Sequence, residues 1–255
     1  MRELERDSAA TAPARLPRRI ALVGRGRLAS ALAPALSAAG VDVVTFGRDL
    51  QARGPSPFDA VLLCVPDSAI ADVAAAVRGW APLIGHTSGA TPLTDVDFGL
   101  HPLQTFTAGG GSFEGAGCAI GGATPEALAC ADALARCLGM RPFELADADR
   151  PAYHAAASIA SNFLVTLEAA AEQVAASVGV DRELLAPLVR QTVENWAAMG
   201  PERALTGPVA RGDDETVERQ REAVEHAAPD LIPLWDELVD ATRALSPVTR
   251  HPSPR

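Results

Sequence analysis

Three groups of residues in this 255-residue chain have the types and spacing to do chemistry. The first is Gly24-x-Gly26-x-x-Ala29. The first glycine permits a tight turn, and the second lets a backbone approach a phosphate. The alanine lets the following helix pack close to a strand. An apolar run, Ile20 to Val23, precedes the motif, and a helical pattern follows through Ala39 to Gly40. Val41 to Phe46 then reads as a second strand. Strand, glycine turn, helix and strand form the unit that binds a dinucleotide, with its pyrophosphate over the helix N-terminus. Gly24, Gly26, Arg27, Leu28 and Ala29 are therefore candidate cofactor contacts.

The end of the second strand selects the cofactor. An NAD site places an acidic residue there for the ribose hydroxyls. This strand ends Thr45-Phe46-Gly47-Arg48, and Asp42 stands too early to reach the ribose. Arg48 is placed to hold a 2′-phosphate, with Arg25 and Arg27 adding positive charge, so NADP is expected over NAD. Asp49 is the competing hydroxyl acceptor. Ligands of such sheets lie at the carboxyl ends of the strands. Val65, Pro66 and Ser88 thus join the cofactor candidates. Leu100 to Phe106 (LHPLQTF) reads as a formed loop that offers His101 and Gln104 to a substrate. His86 and His101 are each readable as a proton donor or as a structural hydrogen-bonding histidine.

The third group lies further on. His154, Ser158 and Asn162 follow at i, i+4, i+8, one stripe of a regular helix. They are the candidate catalytic residues. Arg211, in the glycine-flanked run Gly207 to Gly212, could hold a substrate carboxylate in bidentate fashion. A salt bridge to Asp213 or Asp214 is the alternative.

Composition narrows the rest. The formal net charge is −10, which disfavours nucleic acid as a partner. All 22 basic residues are arginine, so no mechanism that needs a lysine is available. Cys64, Cys118, Cys130 and Cys137 lack metal-ligand spacing and read as buried structural thiols, with no metal site expected. No run of about 18 apolar residues exists, so no membrane span is expected. The N-terminal segment has no apolar core and reads as a tail rather than a signal peptide. A cytoplasmic protein is expected.

The elements that must position these groups divide in two. Residues 18–147 read as an α/β, Rossmann-type parallel sheet domain, with strands at Asp59 to Val65 and Leu83 to Thr87. Late strands are expected at Cys118 to Gly121 and Pro142 to Leu145, with a helix from Pro125 to Leu138 between them. The stretch Arg48 to Phe58 is too short and broken for a full crossover helix. Residues 148–246 read as a smaller all-α substrate and dimerisation domain, opening with one long helix from Pro151 to Val178. Helices near Arg182 to Met199, Asp213 to Ala227 and Pro229 to Leu245 follow, with Asp181 and Asp213 as N-caps. Residues 1–17 and 247–255 read as disordered tails. An apolar long helix makes a homodimer the expectation.

The glycine loop, CVPDSAI, HTSGA, GLHPLQTF, YHAAASIASNFLVTL and TGPVARGD together resemble the 6-phosphogluconate dehydrogenase-like superfamily. The resemblance, from about Arg18 to Leu245, is to a subgroup whose C-terminal helical domain has no settled reaction. Its relatives include β-hydroxyacid dehydrogenases, ketopantoate reductase, pyrroline-carboxylate reductase and imine reductases. It implies NADP-dependent reduction of a C=O or C=N bond at the cleft between the domains. In the hydroxyacid branch a lysine four residues before the helix asparagine is the general acid. Here that position is Ser158, and His154, one turn earlier, is the substitute donor, with Asn162 orienting the substrate oxygen. The leading expectation is reduction of a small, ketopantoate-like 2-oxo acid. An imine or pyrroline reductase and a non-catalytic dinucleotide-binding regulator are the alternatives.

Overall fold

The computed structural model describes residues 16–47, 50 and 57–246. The expectations for residues 1–15, Arg48, Asp49 and the tail 247–255 lie outside that range. Residues 16 and 17, expected in the tail, instead join the fold. Leu16 packs on the core and Pro17 is buried.

The first unit is a Rossmann-type α/β layer structure, as expected. Its strands are β1 (Arg19–Val23), β2 (Asp42–Phe46), β3 (Ala60–Leu63), β4 (Leu83–His86), β5 (Phe98–Leu103), β6 (Gly117–Gly122) and β7 (Arg141–Glu144). They form one sheet in the order β2-β1-β3-β4-β5-β6-β7. Every neighbouring pair is parallel except β5–β6. All four residues of β3 are buried, the signature of a sheet covered on both faces. On one face, helices α1 (Arg27–Ala38) and α3 (Pro125–Cys137) bury Leu32, Leu36, Ala131 and Leu134 against it. The other face is covered by α2 (Ile70–Ala76) together with Phe46, Phe58 and Trp80.

The segment expected as a loop at Leu100 to Phe106 is a strand through Leu103. β5 pairs with β6 along six registers, from Phe98↔Gly122 to Leu103↔Gly117, but meets β4 only at Gly85↔Phe98 and His86↔Gly99. Its far half overhangs β4. An overhanging edge tolerates Pro102, which has no N–H to offer a ladder.

Helix α4 (Arg150–Ser158) belongs to this unit, which ends at Ser161 rather than at residue 147. Arg150 causes the difference. Its side chain is only 2% exposed. Its Nε donates to Asp147 Oδ1 at 2.6 Å and its Nη1 to the Ser88 carbonyl at 3.4 Å. Asp147 Oδ2 accepts the Leu93 N–H at 3.0 Å. The start of α4 is thereby tied to the segment after β4.

The expected single long helix is two. α4 runs into a π-helical segment, Ile159–Phe163, and then into α5 (Leu164–Ala176). No proline or glycine stands in the π segment. The second unit, Asn162–Arg255, contains α5, α6 (Arg182–Met199), the short α7 (Pro201–Ala204) and α8 (Pro208–Arg211), α9 (Asp214–Ala227) and α10 (Ile232–Leu245). α9 and α10 bury Val217, Val224 and Val239. A bidentate pair joins them, Arg221 to Asp236 at 2.8 and 3.1 Å. Asp213 caps α9 by accepting the Thr216 N–H at 3.1 Å. Asp181 precedes α6 in extended conformation, but its side chain makes no cap bond.

Arg150 is buried while its partner Asp147 is 43% exposed, so solvent weakens the pair relative to a fully buried one. Asp147→Ala, which leaves the buried Arg150 charge without its carboxylate, is therefore expected to cost about 1–3 kcal/mol in denaturant unfolding. Arg150→Met, which removes the buried charge itself, is expected to cost less.

Candidate functional site

The glycine loop is shaped by two contacts. Gly24 adopts φ +132°, and a Cβ there would lie 2.2 Å from the Cys64 carbonyl oxygen. Its N–H donates to the Phe46 carbonyl at 2.9 Å, so the loop is pinned across the ends of β2 and β3. Gly26 is the N-cap of α1, and no heavy atom lies within 4 Å of where its Cβ would be. The first turn of α1 carries no acidic residue and no side-chain cap. Its N–H groups are thus available to an anion, and the open side of Gly26 admits one closely. Ala29 is 2% exposed against the sheet, and half-buried Leu28 packs on the same core. A cavity of about 850 Å³ lies beside this loop, walled by Cys64, Val65, Pro66 and Val73. These residues fit a dinucleotide. Arg25 lies against Gly47 at the end of β2, where a Cβ would be 3.1 Å from its Nε. Arg25 and Arg27 are both exposed.

The segment after β4 is structural. His86 is fully buried. Its Nδ1 accepts the Ser88 N–H at 3.2 Å, and its Nε2 donates to the Pro92 carbonyl at 3.3 Å. Both nitrogens are committed in the neutral form, and burial lowers the imidazole's pKa. Of the two readings of His86, the structural one holds. The Ser88 hydroxyl accepts the N–H groups of Ala90 (3.1 Å) and Thr91 (2.9 Å) and donates to Thr91 Oγ1. It closes a turn beside the carboxyl end of β4.

His101 differs from His86. Its Nδ1 lies 2.6 Å from Tyr153 Oη, joining β5 to α4. The two rings meet edge to face at 5.5 Å. The His154 ring stands 6.4 Å from His101, and Phe143 packs 5.9 Å from Tyr153. Gly89 runs so close beneath His101 that a Cβ would lie 2.8 Å from the ring. Burial, then the neighbouring His154, push His101 down to about 4. Burial pushes the Tyr153 phenol up to about 12, with Cys118 adding to it and Arg150 opposing. At neutral pH an uncharged imidazole therefore faces an uncharged phenol. Which atom donates depends on the imidazole tautomer. Tyr153 is absent from the sequence-based candidates. The signals that could have found it are that it is the chain's only tyrosine and that it adjoins His154.

The remaining candidates are placed as follows. His154 is exposed on α4, and Ser158 is half-buried at its last turn. Asn162 is exposed within the π segment and falls in the second unit. The i, i+4, i+8 stripe presupposed an unbroken α-helix. A π turn holds an extra residue, so the stripe is broken between Ser158 and Asn162. Gln104 is spent on its own loop. Its Oε1 accepts the Thr105 N–H at 2.8 Å and its Nε2 donates to the Ser112 carbonyl at 3.3 Å. Arg211 is exposed at the end of α8. Asp213 is engaged as a cap and Asp214 pairs with Arg243 at 2.9 Å. Arg211 makes no ion pair among the described residues. All four cysteines are free, with thiols raised by burial. No helix is long and apolar enough to cross a membrane among the described residues.

With a single tyrosine, alkaline near-ultraviolet titration reads Tyr153 alone. Its midpoint is expected near 12, against about 10 for a free phenol. His101 gives a second test. A histidine held neutral by the fold makes stability rise with pH between its folded value, about 4, and the unfolded value, about 6.5. Melting temperature is expected to fall as pH drops from 7 to 4.5, and to fall less in His101→Asn.

Residues 116–242 match the model of a domain of unknown function, DUF2520. No curated protein matches the sequence. Among solved structures, a Bacteroides fragilis protein provisionally described as an NADP oxidoreductase superposes with a TM-score of 0.77 at 22% identity. That match covers 89% of this chain and 98% of the other. A Thermotoga maritima protein described without an activity gives 0.70 at 23% identity, covering 91% and 100%. The 1-pyrroline-5-carboxylate reductase of Streptococcus pyogenes gives 0.59 at 16%, covering 89% and 98%. At these identities the likeness is one of fold. The chain has a Rossmann-type fold with a helical C-terminal region, and residues 116–242 of it resemble the DUF2520 domain.

Proposed function

We propose that this chain is an NADP(H)-dependent reductase of a C=O or C=N bond in a small molecule. The observation that carries the proposal is the open N-terminus of α1 beside the glycine-loop cavity, with Arg25 laid over the end of β2. First-turn amides of α1 would face the pyrophosphate, and Gly26 would admit it. Arg25, with Arg48, would hold a 2′-phosphate. When bound, the cofactor supplies the hydride. Reduction of a carbonyl also needs a proton at oxygen, and exposed His154 is the donor that the family resemblance implied.

The finer reading is a ketopantoate-like 2-oxo acid whose carboxylate is met by Arg211. The exposed guanidinium of Arg211, without an ion pair among the described residues, supports it. An imine or pyrroline reductase is the second reading. It is favoured by the absence of lysine, since an imine is protonated easily without a dedicated acid. A dinucleotide-binding regulator without turnover is the third. A homodimer is proposed from the apolar surface of α6, where Leu184, Leu188 and Trp196 are 56–69% exposed.

Fluorescence titration with NADPH and NADH tests the proposal. NADPH is expected to bind more tightly. Loss of a charge-assisted contact costs about 1.5–3 kcal/mol, so Arg25→Ala should weaken NADPH roughly 10- to 100-fold and scarcely change NADH. Arg48→Ala is expected to act in the same direction. If neither nucleotide binds the wild-type protein, the proposal fails.

A further inference from the structure

We infer that the Tyr153 hydroxyl, held by His101, is the proton donor of the reduction, in place of His154. The inference rests on the reductase reading and deepens it. Three observations carry it. Tyr153 Oη and His101 Nδ1 are 2.6 Å apart and link α4 to β5, so the hydroxyl has a fixed position. The pair is wedged between Gly89 and Phe143, which leaves the rings little freedom. His154, by contrast, is exposed, and no hydrogen bond fixes its ring among the described residues. A proton donor gains from being positioned as much as from its acidity.

The step balances as follows. Hydride addition to the substrate carbon moves the C=O π electrons onto oxygen. The Tyr153 O–H bond breaks and its proton goes to that oxygen, or to nitrogen in the C=N case. The resulting phenolate accepts a hydrogen bond from the His101 Nδ1–H tautomer, and solvent water reprotonates it. His101 remains neutral throughout and acts as a positioning residue. Arg150 on α4 is close enough to both groups to favour the phenolate and to disfavour imidazolium. His154 on α4 and His86 on β4 also disfavour imidazolium, whereas Asp67 after β3 opposes them. Cys118 on β6 is the further titratable neighbour of the phenol.

The test uses the full chain with NADPH and a panel of 2-oxo acids and cyclic imines. Tyr153→Phe keeps the ring and loses one oxygen. It is expected to bind NADPH like the wild type by fluorescence while kcat falls about 100-fold or more. His154→Ala is expected to lose far less. His101→Asn should lower kcat to an intermediate degree and move the phenol midpoint upward in the near-ultraviolet titration. A histidine donor would make kcat fall as pH rises past about 6.5, whereas a tyrosine donor leaves it level to pH 9. Undiminished kcat in Tyr153→Phe, or a fall in wild-type kcat between pH 6 and 8, overturns the assignment and leaves the reductase reading standing. NADPH binding without turnover of any panel member overturns both in favour of a regulator. Absence of NADPH binding in the wild type removes the reading on which the assignment rests.

Discussion

A guanidinium buried where α4 begins organises the chemistry-bearing half of this molecule. Arg150 reaches the carboxyl end of β4 through the Ser88 carbonyl and is neutralised by Asp147, which also holds the Leu93 amide. A buried charge is costly unless its partners are in place, so this arrangement tolerates little displacement. One turn along the same helix, Tyr153 meets His101. The position of the phenol relative to β5 thus follows from an ion pair that never touches it. The same positive charge lies within electrostatic reach of His86, His101 and Tyr153; burial is the main reason that all three stay uncharged, and Arg150 adds to it at the two imidazoles and opposes it at the phenol.

The glycine loop and the His101–Tyr153 pair solve opposite electrostatic problems. The glycine loop offers amide dipoles and arginines, with no acid in the first turn of α1, as an anion requires. The His101–Tyr153 end is uncharged at neutral pH and half-buried. Such an environment holds a proton on oxygen until charge develops nearby. The chain builds this without lysine, assigning every fixed positive charge to arginine, which cannot surrender its proton in the working range.

What the sequence revealed was local. The glycine loop, β1, β2 and α1 fall within one continuous segment, and their periods and turn residues are read directly. The lengths of α6 and α9 and the Asp213 cap of α9 were equally visible, whereas the cap expected of Asp181 is not made. Features that depend on distant pairing were not. β5 looked like a loop because Pro102 and its polar neighbours argue against a strand, and its status comes from β6, reached only after a long connection. Tyr153 drew no attention because the partner that gives it meaning is 52 residues away. Gln104 looked free for a substrate because its partners, the Thr105 N–H and the Ser112 carbonyl, lie in the fold of its own loop. The π segment that breaks the His154–Ser158–Asn162 stripe has no residue signature. The domain boundary moved because Arg150, at the join, is claimed by the sheet.

The close approaches around His101 and Arg150 also constrain how such a site can change over generations. Gly89 lies under His101, and Gly99 lies under both Arg150 and Leu93. Each glycine records the volume of the larger side chain above it. A mutation that enlarges Gly89 first meets the His101 ring at 2.8 Å, and one at Gly99 must push aside the Arg150 and Leu93 tips at 3.0 Å. One that first shrinks the large partner opens the space but forfeits its hydrogen bonds. Divergence here must therefore proceed by paired replacements in a fixed order, the large residue yielding before the small one grows. Among relatives, a residue larger than glycine at position 89 should occur only where position 101 is smaller than histidine.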